Sequence, residues 1–215
     1  MKIQTVDAGV WWIAIADEIR PREGLTWQKL FETVQKEFKF AEVPTQLPQG
    51  NRGYEFKQGS LEDAEGTIVI TLLAVYNDGI NVAVPSDTRK AEKALQAAMD
   101  VFYSLGIREP VTPPLHYYVS TIVADFERPL DNLLPSSLLK SIATAMPVEG
   151  DAQLYTFRLN FDPSRIPGRL GPINPTNFLI ERRVGVPYER NRYFSQANTT
   201  TEKHLELLEQ IERSV

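Results

Sequence analysis

Seven of the fourteen arginines fall between residues 158 and 193: Arg158, Arg165, Arg169, Arg182, Arg183, Arg190 and Arg192. That stretch contains no lysine and only three acids. It carries +4 in a chain of net charge −5, which leaves −9 on the remainder. Guanidinium without ammonium suits planar, two-pronged recognition of a carboxylate or a phosphate. Tyr155, Phe157, Leu159 and Phe161 alternate with Thr156, Arg158 and Asn160, the period of a strand with one polar face. Glu181 and Arg183 share a side of the next strand, so Arg158, Glu181 and Arg183 are expected to converge on one sheet face. Such a cluster would either hold an anionic ligand or acidic partner, or form a cross-strand ladder of ion pairs on a solvated face. Residues 162–175, with Arg165 and Arg169, make a long proline-rich connection. Connections of that length serve as lids or partner-binding arms, or are stiffened surface excursions. No lysine follows the glycines and no helix comes directly behind, so the segment is not a phosphate-binding P-loop.

The other chemistries are weakly supported. Asp17 with Arg20 and Asp125 with Arg128 would give two matched charged sites. The simpler expectation is a pair of structural turns, each aspartate accepting turn amides while the arginine folds back on it. His116 and His204, the only histidines, have no acid or second histidine at ligand spacing, so neither a metal nor another cofactor is expected. No serine sits in a Gly-x-Ser-x-Gly elbow, and the acids Glu62, Asp63 and Glu65 mark an exposed turn, so no catalytic residue is assigned. Trp11, Trp12 and Trp27 are expected in the core, where an apolar strand and a helix stripe place them. Cysteine is absent, which removes disulfides, thiolate metal sites and thiol nucleophiles together and fits a cytoplasmic protein. The acidic balance, pI near 5.2, opposes nucleic-acid binding. The longest apolar run, Val10 to Ala16, is far shorter than a bilayer span, so no membrane partner is expected.

The elements that must position the arginines are read from periodicity and breakers. Val10 to Ala16 predicts a strand buried on both faces. Thr26 caps a helix with the stripe Trp27, Leu30, Phe31, Val34 and Phe38. A short strand is expected near Tyr54 to Gln58. A hairpin follows, with arms Thr67 to Tyr76 and Ile80 to Val84 around Asn77-Asp78-Gly79. Ser86 to Leu105 reads as a helix ended by Gly106. The same order then returns. A strand is expected at Tyr117 to Ala124. A helix opens behind Pro135 with Leu138, Leu139, Ile142 and Met146, and strands follow at Ala152 to Phe161, Phe178 to Val184 and Pro187 to Ser195. The last helix opens with the capping box Thr199-Thr200-Thr201-Glu202 and buries Leu205, Leu208 and Ile211.

Motifs recur with this order. Asp17-Glu18-Ile19-Arg20-Pro21 returns as Asp125-Phe126-Glu127-Arg128-Pro129 at an offset of 108. Trp11-Trp12 is matched by Tyr117-Tyr118 and Glu92-Lys93-Ala94-Leu95 by Glu202-Lys203-His204-Leu205, at 106 and 110. Three matches in one order at nearly one offset predict an internal duplication, with residues 1–106 and 107–215 as halves of one compact domain. The expected fold is α+β: two strand-helix-three-strand-helix halves forming a single antiparallel sheet with all helices on one face. This element order resembles the duplicated TATA-box-binding-protein-like architecture. More loosely, it resembles the paired modules of gyrase-inhibitor-like effector-binding domains and haem-binding SOUL proteins.

Two functions follow. The first is a non-enzymatic binding or assembly protein that recognises a partner protein, a second copy or an anionic ligand. Its candidate residues are Arg158, Glu181, Arg183, Arg165, Arg169, Arg190 and Arg192 on and around the helix-free face. The alternative is a small-molecule sensor or enzyme with a cleft between the halves, lined by Trp11, Tyr117, Tyr118 and Glu181.

Overall fold

A computed structural model describes residues 1–19, 26–45, 53–145, 153–160 and 177–215. The strands are β1 (Lys2–Ile13), β2 (Tyr54–Asp63), β3 (Gly66–Val75), β4 (Gly79–Val84), β5 (Leu115–Asp125), β6 (Thr156–Asn160), β7 (Asn177–Arg182) and β8 (Arg192–Ala197). They join in one antiparallel sheet in the order β2-β3-β4-β1-β5-β8-β7-β6. The helices are α1 (Trp27–Phe38), α2 (Thr88–Ser104), α3 (Ser136–Ala145) and α4 (Thr201–Ser214). The α+β class and the single antiparallel sheet are as the sequence predicts. None of the described helices is long and apolar enough to cross a membrane.

Strand β1 corrects one expectation. It starts eight residues before Val10 and alternates: Ala8, Val10 and Trp12 are buried, while Gly9 and Trp11 are half-buried. As far as Trp12 only every second side chain is dried, and the unbroken apolar run misleads because Trp11 lies on the helix-free side; both faces are buried only at the strand's end, where Ile13 follows Trp12.

The first core is made where α1 and α2 press on β1 to β4. Leu30, Val34 and Phe38 from α1 and Ala91, Leu95, Ala98, Met99 and Phe102 from α2 meet Val10, Trp12, Phe56, Leu73 and Val82. Each large buried side chain contributes roughly 1.5–3 kcal/mol by leaving water. Thr26 Oγ1 accepts the Lys29 amide at 3.2 Å, and Asp87 accepts the Arg89 and Lys90 amides at 2.9 and 3.1 Å. Both helix starts thus receive the side-chain cap their free amides need. At the β3–β4 hairpin a Cβ on Gly79 would stand 2.3 Å from the Trp12 carbonyl oxygen, so only glycine fits.

The second core is smaller: Ile122, Ala124, Phe126, Leu130, Ile180, Tyr193 and Leu208, with Leu205 and Ile211 packed against it. Here α3 departs from expectation. It buries no residue, and Leu138 and Ile142 are 45% and 38% exposed. Phe126 and Leu130, from the turn ahead of α3, already close this core, so the helix stripe has no sheet surface to cover. Met146 lies outside the described residues. In α4 the capping threonine is Thr200, whose Oγ1 accepts the Lys203 amide at 3.5 Å. Glu202 is therefore the second helical residue and Lys203 the third, so the expected box, which needs Glu202 at the third, does not form.

The two sides of the sheet join at β1 and β5, paired from Lys2/Asp125 to Ile13/Leu115 with one irregularity between Ile3 and Thr5. Above that seam the starts of α2 and α4 meet. The Thr88 amide donates to Thr201 Oγ1 and the Thr201 amide to Thr88 Oγ1, both at 3.0 Å and both buried. Each hydroxyl thereby satisfies an amide that its own helix leaves free.

Candidate functional site

Pairing register decides which side chains share the helix-free face. Trp11 lies opposite Tyr117 and Asn81, Val123 opposite Phe194, Phe194 opposite Glu181, Glu181 opposite Thr156, and Leu179 opposite Arg158. Directly opposed residues point to the same side. These side chains therefore line one surface away from the two cores, and no described helix packs on it. Arg158 and Arg183 are exposed; Glu181, Trp11, Tyr117, Val123 and Phe194 are half-buried.

Arg158 and Arg183 fall on opposite sides of the Thr156/Glu181 pair along the strand direction. Four residues of strand separate their levels, roughly 13 Å at the rise of an extended chain. The Arg183 guanidinium lies 5.5 Å from the Phe194 ring centroid, and Arg158 Nε donates to Asn160 Oδ1 at 3.2 Å. No ion pair joins Glu181 to either arginine among the described residues. A ladder of ion pairs is therefore not what the geometry presents. Two cations flank one carboxylate on a shallow surface, an arrangement that suits an extended chain with alternating charge or two spaced anionic groups.

The remaining arginines divide. Arg192 is held by Asp125: its Nη2 donates to Oδ2 at 2.9 Å and its Nε to Oδ1, while Gln4 Nε2 donates to the same Oδ2 at 3.0 Å. That guanidinium bond holds the Asp125 carboxyl below the usual carboxylate range. Arg190 ends a short turn, Tyr188–Arg190, and is exposed. Arg165 and Arg169, with the whole 162–175 connection, lie outside the described residues.

The two turn motifs do not occupy matching places. Asp17 sits in a turn four residues beyond the end of β1, whereas Asp125 is the last residue of β5. Arg128 Nη1 donates to the Val215 carbonyl at 3.2 Å, leaving Asp125 to Arg192. Arg20 is outside the described residues. The residues expected to line a cleft between the halves are likewise dispersed. Trp11 and Tyr117 are on the helix-free side, Tyr118 packs toward the first core, and Glu181 is three strands from β1.

Sequence reading missed two buried polar clusters in the second core. Arg182, between two residues of the open face, points the other way. Its Nη1 donates to the Tyr188 carbonyl at 2.9 Å and its Nη2 to the Tyr193 hydroxyl at 2.7 Å, and the guanidinium lies 3.6 Å from the Tyr188 ring centroid. The two-residue period was the available signal, because it sends neighbours to opposite faces. His204 is fully buried, with Nδ1 3.0 Å from Ser120 Oγ and Nε2 2.9 Å from Ser195 Oγ. Burial pushes its pKa down to about 4. His116, by contrast, is at the surface, its Nδ1 3.5 Å from the Glu92 carboxylate that it holds below the usual range.

Among the described residues no group of three or more His, Cys, Asp or Glu side chains is placed to hold a metal ion. The chain matches no protein-family model and no curated protein at a significant level.

Proposed function

We propose that this chain is a non-enzymatic binding or assembly protein. Its helix-free sheet face recognises a partner protein or an anionic ligand through Arg158, Glu181 and Arg183. The observation that carries the reading is a face that no described helix covers: half-buried Trp11, Tyr117, Val123 and Phe194 beside two exposed guanidiniums with no carboxylate bound to them among the described residues. Apolar area flanked by arginine is the composition of recognition surfaces. The test is a quantitative pull-down with wild type and the Arg158→Ala/Arg183→Ala double variant, using Lys36→Ala on α1 as a control. Loss of captured species with the double variant alone supports the proposal. An unchanged set and amount overturns it.

We further infer that the fold arose by duplication, with the TATA-box-binding-protein-like order. Support comes from the strand order, which reads the same from either end when β1 to β4 are exchanged for β5 to β8. Register sharpens the correspondence. Ala8 pairs with Val84 and Ser120, and Ser120 pairs with Ala197 and Ala8. Setting Ser120 on Ala8, an offset of 112, carries Val84 onto Ala197 at 113 and matches the Thr88/Thr201 exchange at 113. The axis then passes through the Ala8/Ser120 pair. Deletion of either half should leave an insoluble remainder, because each supplies one strand of the central β1–β5 pair.

A further inference from the structure

A cavity of about 420 Å³ opens at the end of the first core, between the hairpin that joins β3 to β4 and the helices above it. Its depth is formed by Trp12, Leu30, Val75, Ile80, Met99 and Phe102, all buried. Among the described residues its rim carries Ala16, Asp17, Thr26 and Asn77, all exposed. Native interiors hold few voids larger than a water, and this one has room for on the order of ten waters at about 30 Å³ each. It falls instead in the range of small-molecule sites, roughly 300–1,000 Å³. Apolar walls give interior waters too few partners to be held there.

We propose that this cavity binds a small, uncharged, ring-bearing molecule with one polar end group. The deep walls decide the body of the ligand: two aromatic and four other apolar side chains offer no partner to an ionised group there, whose desolvation would go uncompensated, while the Asp17 carboxylate stands only at the exposed rim. The rim decides the end group. Thr26 Oγ1 accepts the Lys29 amide, so its hydroxyl proton remains to be donated, and Asn77 supplies a side-chain amide to the same rim. A hydroxyl or carbonyl oxygen on the ligand satisfies both.

The duplication proposed above, on which this one comparison rests, adds a contrast. By strand register Val75 and Ile80 correspond to Arg182 and Tyr193. In the second half that place is filled, because the Arg182 guanidinium lies against the Tyr188 ring and bonds the Tyr193 hydroxyl. In the first half the same place is apolar and, among the described residues, open.

The experiment is a titration with 2-naphthol followed by methyl NMR. Saturable shifts confined to the Ile19, Leu30, Val75, Ile80, Met99 and Ile107 methyls are expected. Ala16→Trp, at an exposed rim position, should weaken binding at least tenfold, whereas Ala16→Ser retains it. Ile107→Trp provides a second blocking variant. Arg158→Ala/Arg183→Ala should leave this binding unchanged, which separates it from recognition at the sheet face. Shifts that are linear, that spread over the surface, or that survive both tryptophan substitutions would overturn the proposal.

Discussion

His204 offers the sharpest test of the second core. Ser195 Oγ donates to the Leu179 carbonyl at 2.8 Å, so its oxygen is left to accept from Nε2–H, and Nδ1 must then accept the Ser120 hydroxyl. The neutral ring is satisfied on both nitrogens. A proton added to Nδ1 places a charge in a fully buried site with no carboxylate among the ring's hydrogen-bond partners, and the Ser120 backbone bond offsets only part of that cost. The folded pKa is accordingly depressed from 6.5 to about 4. Because it is depressed, the unfolded chain takes up a proton between pH 6.5 and 4 that the fold refuses, and stability falls as pH falls through that window. At about 1.4 kcal/mol per pH unit, the loss amounts to about 3 kcal/mol. That is a large part of the 5–15 kcal/mol typical of a domain. Urea unfolding from pH 7.5 to 4 measures it, with His204→Gln as the reference that removes this titration and keeps the carboxylates. At pH 7.5 the variant should be less stable by roughly 1–3 kcal/mol through imperfect replacement of two buried hydrogen bonds. The difference should shrink, and vanish or reverse, by pH 4. A difference that does not vary with pH, or an NMR titration of His204 with a midpoint above 6, would refute the reasoning.

Other outcomes follow from the same contacts. Asp125→Asn should cost about 1 kcal/mol above pH 3.8 by removing the carboxylate from Arg192. Since the folded carboxyl lies below its ordinary 3.8, that difference should disappear as pH falls through the folded value in thermal melts. Thr88→Val and Thr201→Val should each cost about 1–3 kcal/mol, because each leaves the other residue's buried amide unpaired; unfolding free energies from denaturant titration within about 0.3 kcal/mol of wild type would refute the exchange's contribution. Leu138→Ser with Ile142→Ser on α3 should change stability by less than about 0.5 kcal/mol, whereas Leu30→Ala on α1 should cost roughly 2–5 kcal/mol. Equal costs for the two would show that α3 is docked.

The element order was legible because each element carries its own local signal. Thr26 caps α1, Asn77-Asp78 turns the β3–β4 hairpin, and Leu30, Val34 and Phe38 keep helical spacing. The position of Arg158, Glu181 and Arg183 on one face was legible for the same reason, since alternation along a strand is local. What was hidden depends on partners far along the chain. The burial of Arg182 needs Tyr188 and Tyr193 around it, that of His204 needs Ser120 from β5 and Ser195 from β8, and the exposure of α3 goes with a second core that Phe126 and Leu130 help to close without it. The cavity was hidden because its walls are ordinary core residues until the space between them is seen.

Under the proposed duplication, the choice of a single offset is what misled the sequence comparison. Register gives 112 for β1 and β5 and 113 for β4 and β8. It gives 107 for β3 and β7, where Leu73 meets Val82 as Ile180 meets Ser195. Connections of unequal length shift each element separately, so the match of Asp17 to Asp125 at 108 joins residues in different settings. The register correspondence is more informative. It sets Ser120, Ser195 and His204 on Ala8, Val82 and Ala91, and Arg182 and Tyr193 on Val75 and Ile80, all of them buried. These five polar groups of the second half thus stand where the first core is apolar, whereas buried Thr201 stands on buried Thr88. A buried polar network gives less net stability than apolar packing but is costly when partly broken. The second core should therefore be the one that opens first on acidification, with amide exchange rising in α4 and β8 before α2 and β4.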